Sequence, residues 1–417
     1  MRKLLKSVLF STIKRILETG ILLCLVTIVS IFVFGGFKTI LGIKVSATTP
    51  LNPITFLFLL VIIRIVIVLK KKDAALFMGS ILFCLLSIEI FLRLWNPLIV
   101  KPELQQIHQT SSNYGWELIP NAVGVGTLGE QISINSHGFR GPEFSMSKPE
   151  GARRIMIIGD SFTFGMGVNS EDTYAKQLES LLKGQGKNFE VLNCGVIGYR
   201  MWQNYEVLKH KAPQLKPDLI ILGVFLNDIW QATPPYSEDP TWKPVNPFEK
   251  KRHEGLANYS YLYKCAVNLN RLYKTKYPYR KHEYIEGIEK RKKSIGPSHH
   301  WHKIMYGTLD RKKYVDFSKT LNKFVAAAEA IGSNVLVLMI PDGAQMHDHQ
   351  RQHVNRFVKS ECEKINIPFV DATHAFECET DTNSLYLFPA DAHISKKGYG
   401  IIAKILAKEI PPLLYRQ

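Results

Sequence analysis

Cysteine is scarce in this chain. Its 417 residues include six cysteines, none in a CxxC pair or at a Cys-His ligand spacing, which excludes a disulfide framework and a zinc ribbon. Cys24 and Cys84 fall within apolar runs and read as small apolar residues. Cys194, Cys265, Cys362 and Cys378 leave room for one disulfide if they face an oxidising compartment. Acidic residues are also few: 36 Asp and Glu against 53 Lys and Arg, a formal charge of +17. Internal repeats and long low-complexity tracts are missing too, which excludes a solenoid.

Long hydrophobic runs are present, and most of them fall before residue 96. Three are apolar enough to be read as membrane spans: Ile21 to Phe37, Ile54 to Leu69 and Ala74 to Trp95. Val45-Ser46-Ala47 loosely resembles a signal-peptidase site, but two further runs follow it and an uncleaved anchor is expected. Arg2, Lys3, Lys6, Lys14 and Arg15 flank the first run, and Lys70-Lys71-Lys72 separates the second from the third. Basic flanks stay in the cytoplasm, so the expected topology is multi-pass in the cell membrane, N-terminus inside, with the remainder extracytoplasmic. Arg64 lies close enough to an end to snorkel, and Glu89 and Arg93 share a helix face at which they pair. No transport pathway is expected from so few polar groups.

The same topology argues against nucleic acid as the partner of the positive charge. Part of the excess is the cytoplasmic flanks, and much of the rest lies between 241 and 300, where 14 Lys and Arg face 5 Glu. On an exported domain that surface suits an anionic envelope polymer or lipid headgroups; a solvated basic face without a partner is the plainer alternative.

Residues 97–151 carry Pro, Gly and Asn at short intervals, with turn-like clusters at Tyr114-Gly115-Trp116 and Asn135 to Pro142. A β-rich lead-in is expected there. From 152 to 417 the pattern alternates strands (154–159, 189–193, 218–224, 334–340, 367–370) with helices (171–184, 201–213, 314–331, 349–365, 395–409). That rhythm predicts a three-layer α/β/α domain on a five-stranded parallel sheet. An interval at 231–313, rich in Tyr, Lys, Arg, His and Pro, interrupts it. It leaves from the strand edge where open sheets build their crevice, so it is expected to shape substrate access.

Chemistry concentrates at three strand ends and one late loop. Ile155 to Ile158 is a buried-strand run, and Gly159-Asp160-Ser161 would turn it into a helix with the Ser161 hydroxyl raised beside backbone N–H groups. Taken alone, Ser161 reads as a helix cap and Asn227 as a turn residue. Together with Asp391-Ala392-His393 they supply a nucleophile, an oxyanion donor, a base and its orienting acid. The oxyanion donors would be the N–H groups of Ser161 and Gly198 and the Asn227 amide. Asp160 and Asp228 read as structural, bonding loop N–H groups around the site. His299, His300 and His302, and His349 with His353, invite a metal reading, but they lack Cys or carboxylate partners at ligand spacing. Neither metal nor cofactor is expected.

In order and context these residues resemble the SGNH hydrolases, or GDSL esterases and lipases. Gly159-Asp160-Ser161-Phe162-Thr163 resembles the first block, Asn193 to Gly198 the second, Leu226-Asn227-Asp228 the third and Asp391-Ala392-His393 the last. The resemblance covers about residues 152–410 and implies a flavodoxin-like fold. It assigns Ser161, His393 and Asp391 as catalytic triad and Ser161, Gly198 and Asn227 as oxyanion hole. Two departures stand out: Leu226 replaces the usual Gly before the Asn, and the acid and base are spaced Asp-x-His where the family has Asp-x-x-His, with Ala390 three before His393. Asp371, at an earlier strand end, is the alternative acid.

The function implied is a membrane-anchored extracytoplasmic serine esterase removing acyl groups, acetyl foremost, from a cell-envelope carbohydrate or lipid. The alternatives are an O-acyltransferase acting on an envelope polysaccharide with the same triad, and a non-catalytic module that binds an envelope polymer.

Overall fold

The computed structural model describes residues 2–34, 37–40, 43–47, 51–69, 71–95, 107–126, 128–186, 188–235, 243, 245–248, 260–266, 269, 289, 291–388 and 391–415. The first ten residues of the expected lead-in, Ala390, and most of the insertion between 236 and 290 lie outside them. The chain divides into two compact units. One comprises Met1–Val100 with His253–Arg280, the other Lys101–Arg252 with Lys281–Gln417.

In the first unit three helices form, α1 (Arg2–Phe34), α2 (Leu51–Val68) and α3 (Lys71–Trp95). An antiparallel hairpin of β1 (Phe37–Ile40) and β2 (Ile43–Ala47) stands between α1 and α2. Of the three expected spans, the described residues support one. Among the described residues one helix, Lys72–Trp95, is long and apolar enough to cross a membrane, and Phe56–Ile67 is a shorter apolar helix. Arg64 of α2 does not simply reach for water but pairs with Glu18 of α1 at 3.2 Å. Glu89 and Arg93 pair at 2.8 Å, as their spacing implies. Glu89 also accepts hydrogen bonds from Ser260 Oγ (3.0 Å) and from the N–H groups of Tyr261 and Leu262 (both 2.9 Å). It thereby caps a helical segment, 261–266, that belongs to the insertion.

The second unit is built on a parallel five-stranded sheet. Its strands are β7 (Arg153–Ile158), β8 (Phe189–Asn193), β9 (Leu219–Val224), β10 (Asn334–Met339) and β11 (Phe369–Asp371), in the order β11-β10-β9-β7-β8. Every residue of β9 is buried, as are five of the six in β7. Strands without a polar face need cover on both sides, and helices provide it: α5 (Tyr174–Gly184) packs on α12 (Lys396–Tyr415), and α6 (Met201–Leu215) on α9 (Arg311–Ala330). α10 (His353–Lys364) covers the β11 edge. The expected helix at 171 starts later, at Tyr174, because 170–172 forms a 3₁₀ turn and Thr173 caps. The helix expected from 349 likewise begins with a 3₁₀ turn.

The lead-in forms two small antiparallel pairs, β3 (His108–Ser111) with β4 (Gly115–Leu118) and β5 (Val123–Val125) with β6 (Gln131–Ser133). It is fastened to the sheet domain by buried cations. Arg140 donates to the carbonyls of Phe164 (2.9 Å), Gly165 and Val168 (both 2.6 Å). Arg154 is wholly buried on β7, paired with Glu190 at 2.6 Å and donating to the carbonyls of Met146, Leu215 and Ser145. All six cysteines are free thiols.

Removing the Arg154 guanidinium would strand a carboxylate and three carbonyls at once. Arg154→Met is expected to cost about 3 kcal/mol or more of stability in urea unfolding, whereas Arg153→Met, whose partly exposed side chain pairs with Asp218, should cost well under half of that. Equal losses would contradict the assignment.

Candidate active site

The chain reverses direction across the sheet between β7 and β9, and a crevice opens at the carboxyl ends of strands at such a point. Segments that follow β7, β8 and β9 meet there. After β7, Asp160 caps the single turn α4 (Ser161–Phe164), accepting from Phe162 N–H at 2.9 Å. Ser161 is the first residue of that turn. Thr163 bonds the Tyr174 hydroxyl at 2.8 Å, and Gly165 closes the turn in the left-handed conformation.

His393 reaches Ser161 from the C-terminal loop, Nε2 lying 2.8 Å from Oγ. Its Nδ1 makes a short bond to Asp391 Oδ1, which also accepts the His393 backbone N–H at 2.8 Å. This double bond explains the short Asp-x-His spacing. An Asx turn brings the carboxylate back over the residue two positions on, and the ring of that residue turns onto the same oxygen. A strand-like pairing of Tyr386 with Ile394 closes the loop from below. Burial would raise the Asp391 pKa, but the His393 ring and N–H groups more than offset it and hold the carboxyl below its usual range. Asp371, the alternative acid, is elsewhere, bonded to Asn355 Nδ2 and Thr373 N–H.

The loop after β8 lies on α4. At Gly195 a Cβ would come 2.3 Å from the Phe164 nitrogen, so only glycine fits. Gly198 has φ of 81°, a conformation that glycine adopts freely. The N–H groups of Ser161 and Gly198 donate to no acceptor among the described residues. Sequence reading missed what holds this loop. Trp116 of the lead-in donates its indole N–H to the Ile197 carbonyl (3.0 Å), and the Tyr199 hydroxyl donates to the Trp116 carbonyl (2.6 Å). Of the cluster read as a turn, Tyr114 lies in the turn between β3 and β4, and Gly115-Trp116 open β4. No local periodicity could have signalled a contact that spans 81 residues of chain.

Asn227 stands on the short helix α7 (Leu226–Trp230) after β9. Its amide nitrogen is engaged twice, with Asp160 Oδ2 at 2.7 Å and with the Tyr199 carbonyl at 3.1 Å, and Oδ1 is buried without a partner. To serve a substrate oxygen the amide has to exchange the Tyr199 bond for it. Asp228 accepts from Phe225 N–H (2.9 Å) and Asn204 Nδ2 (3.1 Å). Burial raises the pKa of both Asp160 and Asp228, and the Asp160 charge raises Asp228 further. The two carboxyls therefore hold protons above the usual carboxylate range.

The histidine clusters have other occupations. His299 caps α8 (His300–Met305) by accepting from Trp301 N–H, His300 packs tilted against Trp230, and His353 lies edge-on to Tyr314. Among the described residues no group of three His, Cys, Asp or Glu could hold a metal ion.

The sequence profile of the GDSL-like lipase/acylhydrolase family matches residues 157–401, more than half of the chain. The chain belongs to this family. It is an SGNH-type hydrolase acting on ester bonds. Similar solved structures include an acetylxylan esterase from Geobacillus stearothermophilus, 17% identical, covering 62% of this chain and 94% of that one with a TM-score of 0.36. Another is a lipase/acylhydrolase from Enterococcus faecalis, 12% identical, covering 62% and 95% with a TM-score of 0.37. A search of curated proteins found no match.

The buried acids give this hydrolase a distinctive pH response. Their folded pKa lies above the unfolded value of 3.8, so the folded state binds more protons and stability falls as pH climbs through the raised values. Asp391 works oppositely: its contribution is present above 3.8 and is lost as pH drops through its lowered folded pKa. Thermal unfolding from about pH 5 to about pH 8 should show a declining midpoint in the wild type and a flatter profile in Asp228→Asn; superimposable profiles would show that the pair is not the source.

Proposed function

We propose that this SGNH hydrolase is a membrane-anchored serine esterase that removes acyl groups, acetyl foremost, from a carbohydrate or lipid of the cell envelope. The observation that carries the chemistry is the continuous contact from Asp391 through His393 to Ser161, with Nε2 at 2.8 Å from the hydroxyl. In the mechanism, Ser161 Oγ attacks the ester carbonyl carbon while its proton passes to His393 Nε2. The Nδ1–H stays with Asp391, whose charge stabilises the imidazolium. The carbonyl oxygen becomes an oxyanion that the free N–H groups of Ser161 and Gly198 can hold, with the Asn227 amide added once it leaves the Tyr199 carbonyl. Collapse breaks the ester C–O bond, the alcohol departs with the His393 proton, and water repeats the sequence to release the acid and restore the serine.

Anchoring rests on Lys72–Trp95, the span that qualifies by length and composition. Lys70-Lys71-Lys72 at its start favours a cytoplasmic N-terminal end, which puts the ester-hydrolysing unit outside, among envelope esters. α1 and α2 would add to the anchor as helices whose shared ion pair offsets the charges they bring.

The full chain in detergent should hydrolyse p-nitrophenyl acetate. Ser161→Ala is expected to abolish turnover, Asp391→Asn to lower kcat by roughly 10³–10⁴, and Asp371→Asn to leave it within about twofold. Acetyl appearing on an added sugar, and not as free acetate, would favour the acyltransferase. Activity surviving in Ser161→Ala would sink the triad.

A further inference from the structure

Both segments that carry the oxyanion groups run on into one rim. Two residues beyond Gly198, Arg200 donates Nε to Gln231 Oε1 at 3.3 Å, and Gln231 lies four residues beyond Asn227. Trp230 lies three beyond Asn227 on α7, and Gln231, which closes that helix, donates its backbone N–H to the Asn227 carbonyl at 3.4 Å. Here α8 brings aromatic partners. The His300 ring lies tilted against Trp230 with centroids 4.8 Å apart, and Trp301 meets Phe225 edge-on at 5.9 Å. Phe225 touches Phe162 at 3.9 Å, and Phe162 lies 4.6 Å from the His393 ring. An unbroken aromatic path thus leads from the base to the rim.

The two inner rings, Phe162 and Phe225, are buried, whereas Trp230, His300 and Trp301 are half-exposed. Trp301 is braced by Arg291, whose guanidinium lies 4.3 Å above the indole and is itself paired with Asp342 at 2.9 Å. Arg200 is different. Among the described residues it forms no ion pair, and beyond the Gln231 bond its guanidinium N–H groups meet no acceptor. The acids whose fields reach it, Asp160 and Asp228, are buried and bonded to other donors. Burial, His299 and Arg200 together push the His300 pKa down, so that ring is a neutral donor and acceptor at pH 7. Lys313 Nζ, 5.9 Å from the Trp230 ring, adds a second cation without an ion pair among the described residues.

We infer that this rim is a subsite for the non-acyl part of the ester, and that it selects a sugar carrying a carboxylate or phosphate group. A sugar presents a flat C–H face to an indole, hydroxyls to a glutamine and a neutral imidazole, and, when acidic, an anion to a forked guanidinium. A long acyl chain would find none of those polar groups useful. The inference rests on the esterase reading and names its substrate class. The rim is invisible to a motif search because its residues come from the oxyanion loop, α7 and the insertion, and none of them takes part in the bond-making steps.

The test compares acetylated oligogalacturonate with an acetylated cello-oligosaccharide of equal length, using the full chain in detergent. The ratio of kcat/KM, charged over neutral, should favour the charged substrate and fall about tenfold or more in Arg200→Gln, mainly through KM. Trp230→Ala should weaken both substrates. Equal use of the two substrates, or a ratio unmoved by Arg200→Gln, overturns the inference while turnover of p-nitrophenyl acetate keeps the esterase reading standing. If the folded parent hydrolyses no ester, that reading falls, and calorimetric binding of acetylated oligogalacturonate to the Ser161→Ala chain decides the rim separately. Binding lost on adding Arg200→Gln supports it; absence of binding overturns it.

Discussion

The Asp391 carboxylate oxygen that receives both the ring and the backbone N–H of His393 is the constraint on which the site turns. A residue two positions from its acid has little freedom: the Asx turn sets where the ring begins, and the second bond sets its tilt. Nε2 then falls within reach of a serine 232 residues earlier in the chain. The short spacing still carries the ring to the serine, because one oxygen takes two donors from a single residue.

Behind the serine lies a second layer with a different physical character. Asp160 and Asp228 are buried close to one another, and low dielectric makes two charges there expensive. Their hydrogen bonds go to Phe162 and Phe225 N–H groups, to Asn227 and to Asn204, so the carboxyls set the start of α4 and of α7 together. The Asn227 amide is held by the same acid that caps the turn carrying Ser161. Ser161 and Asn227 thus share one support, and a change to either carboxyl acts on both.

The lead-in contributes more than a connection. Arg140 fixes the carbonyls just past the turn that carries Ser161, and Trp116 fixes the loop that carries Gly198. Each contact joins positions far apart in sequence, and each satisfies a buried carbonyl that would otherwise go unpaired. The stability of this unit and the order of its site are consequently the same set of bonds.

Much of this was legible in the residues. Five apolar runs became the five parallel strands because a strand buried on both faces leaves a continuous hydrophobic signature, and Ser161, His393 and Asp391 stood out because their chemistry depends on residue type. Other features depend on distance in space, which no spacing encodes: Trp116 under Gly198, the Asn227 amide turned to Asp160 and Tyr199, and Glu18 waiting for Arg64. Local pattern determined the strands, the helices and the reactive side chains; only tertiary packing decided which acid meets the base and which residues form the rim, because partner choice is settled by burial and hydrogen-bond satisfaction across the whole fold.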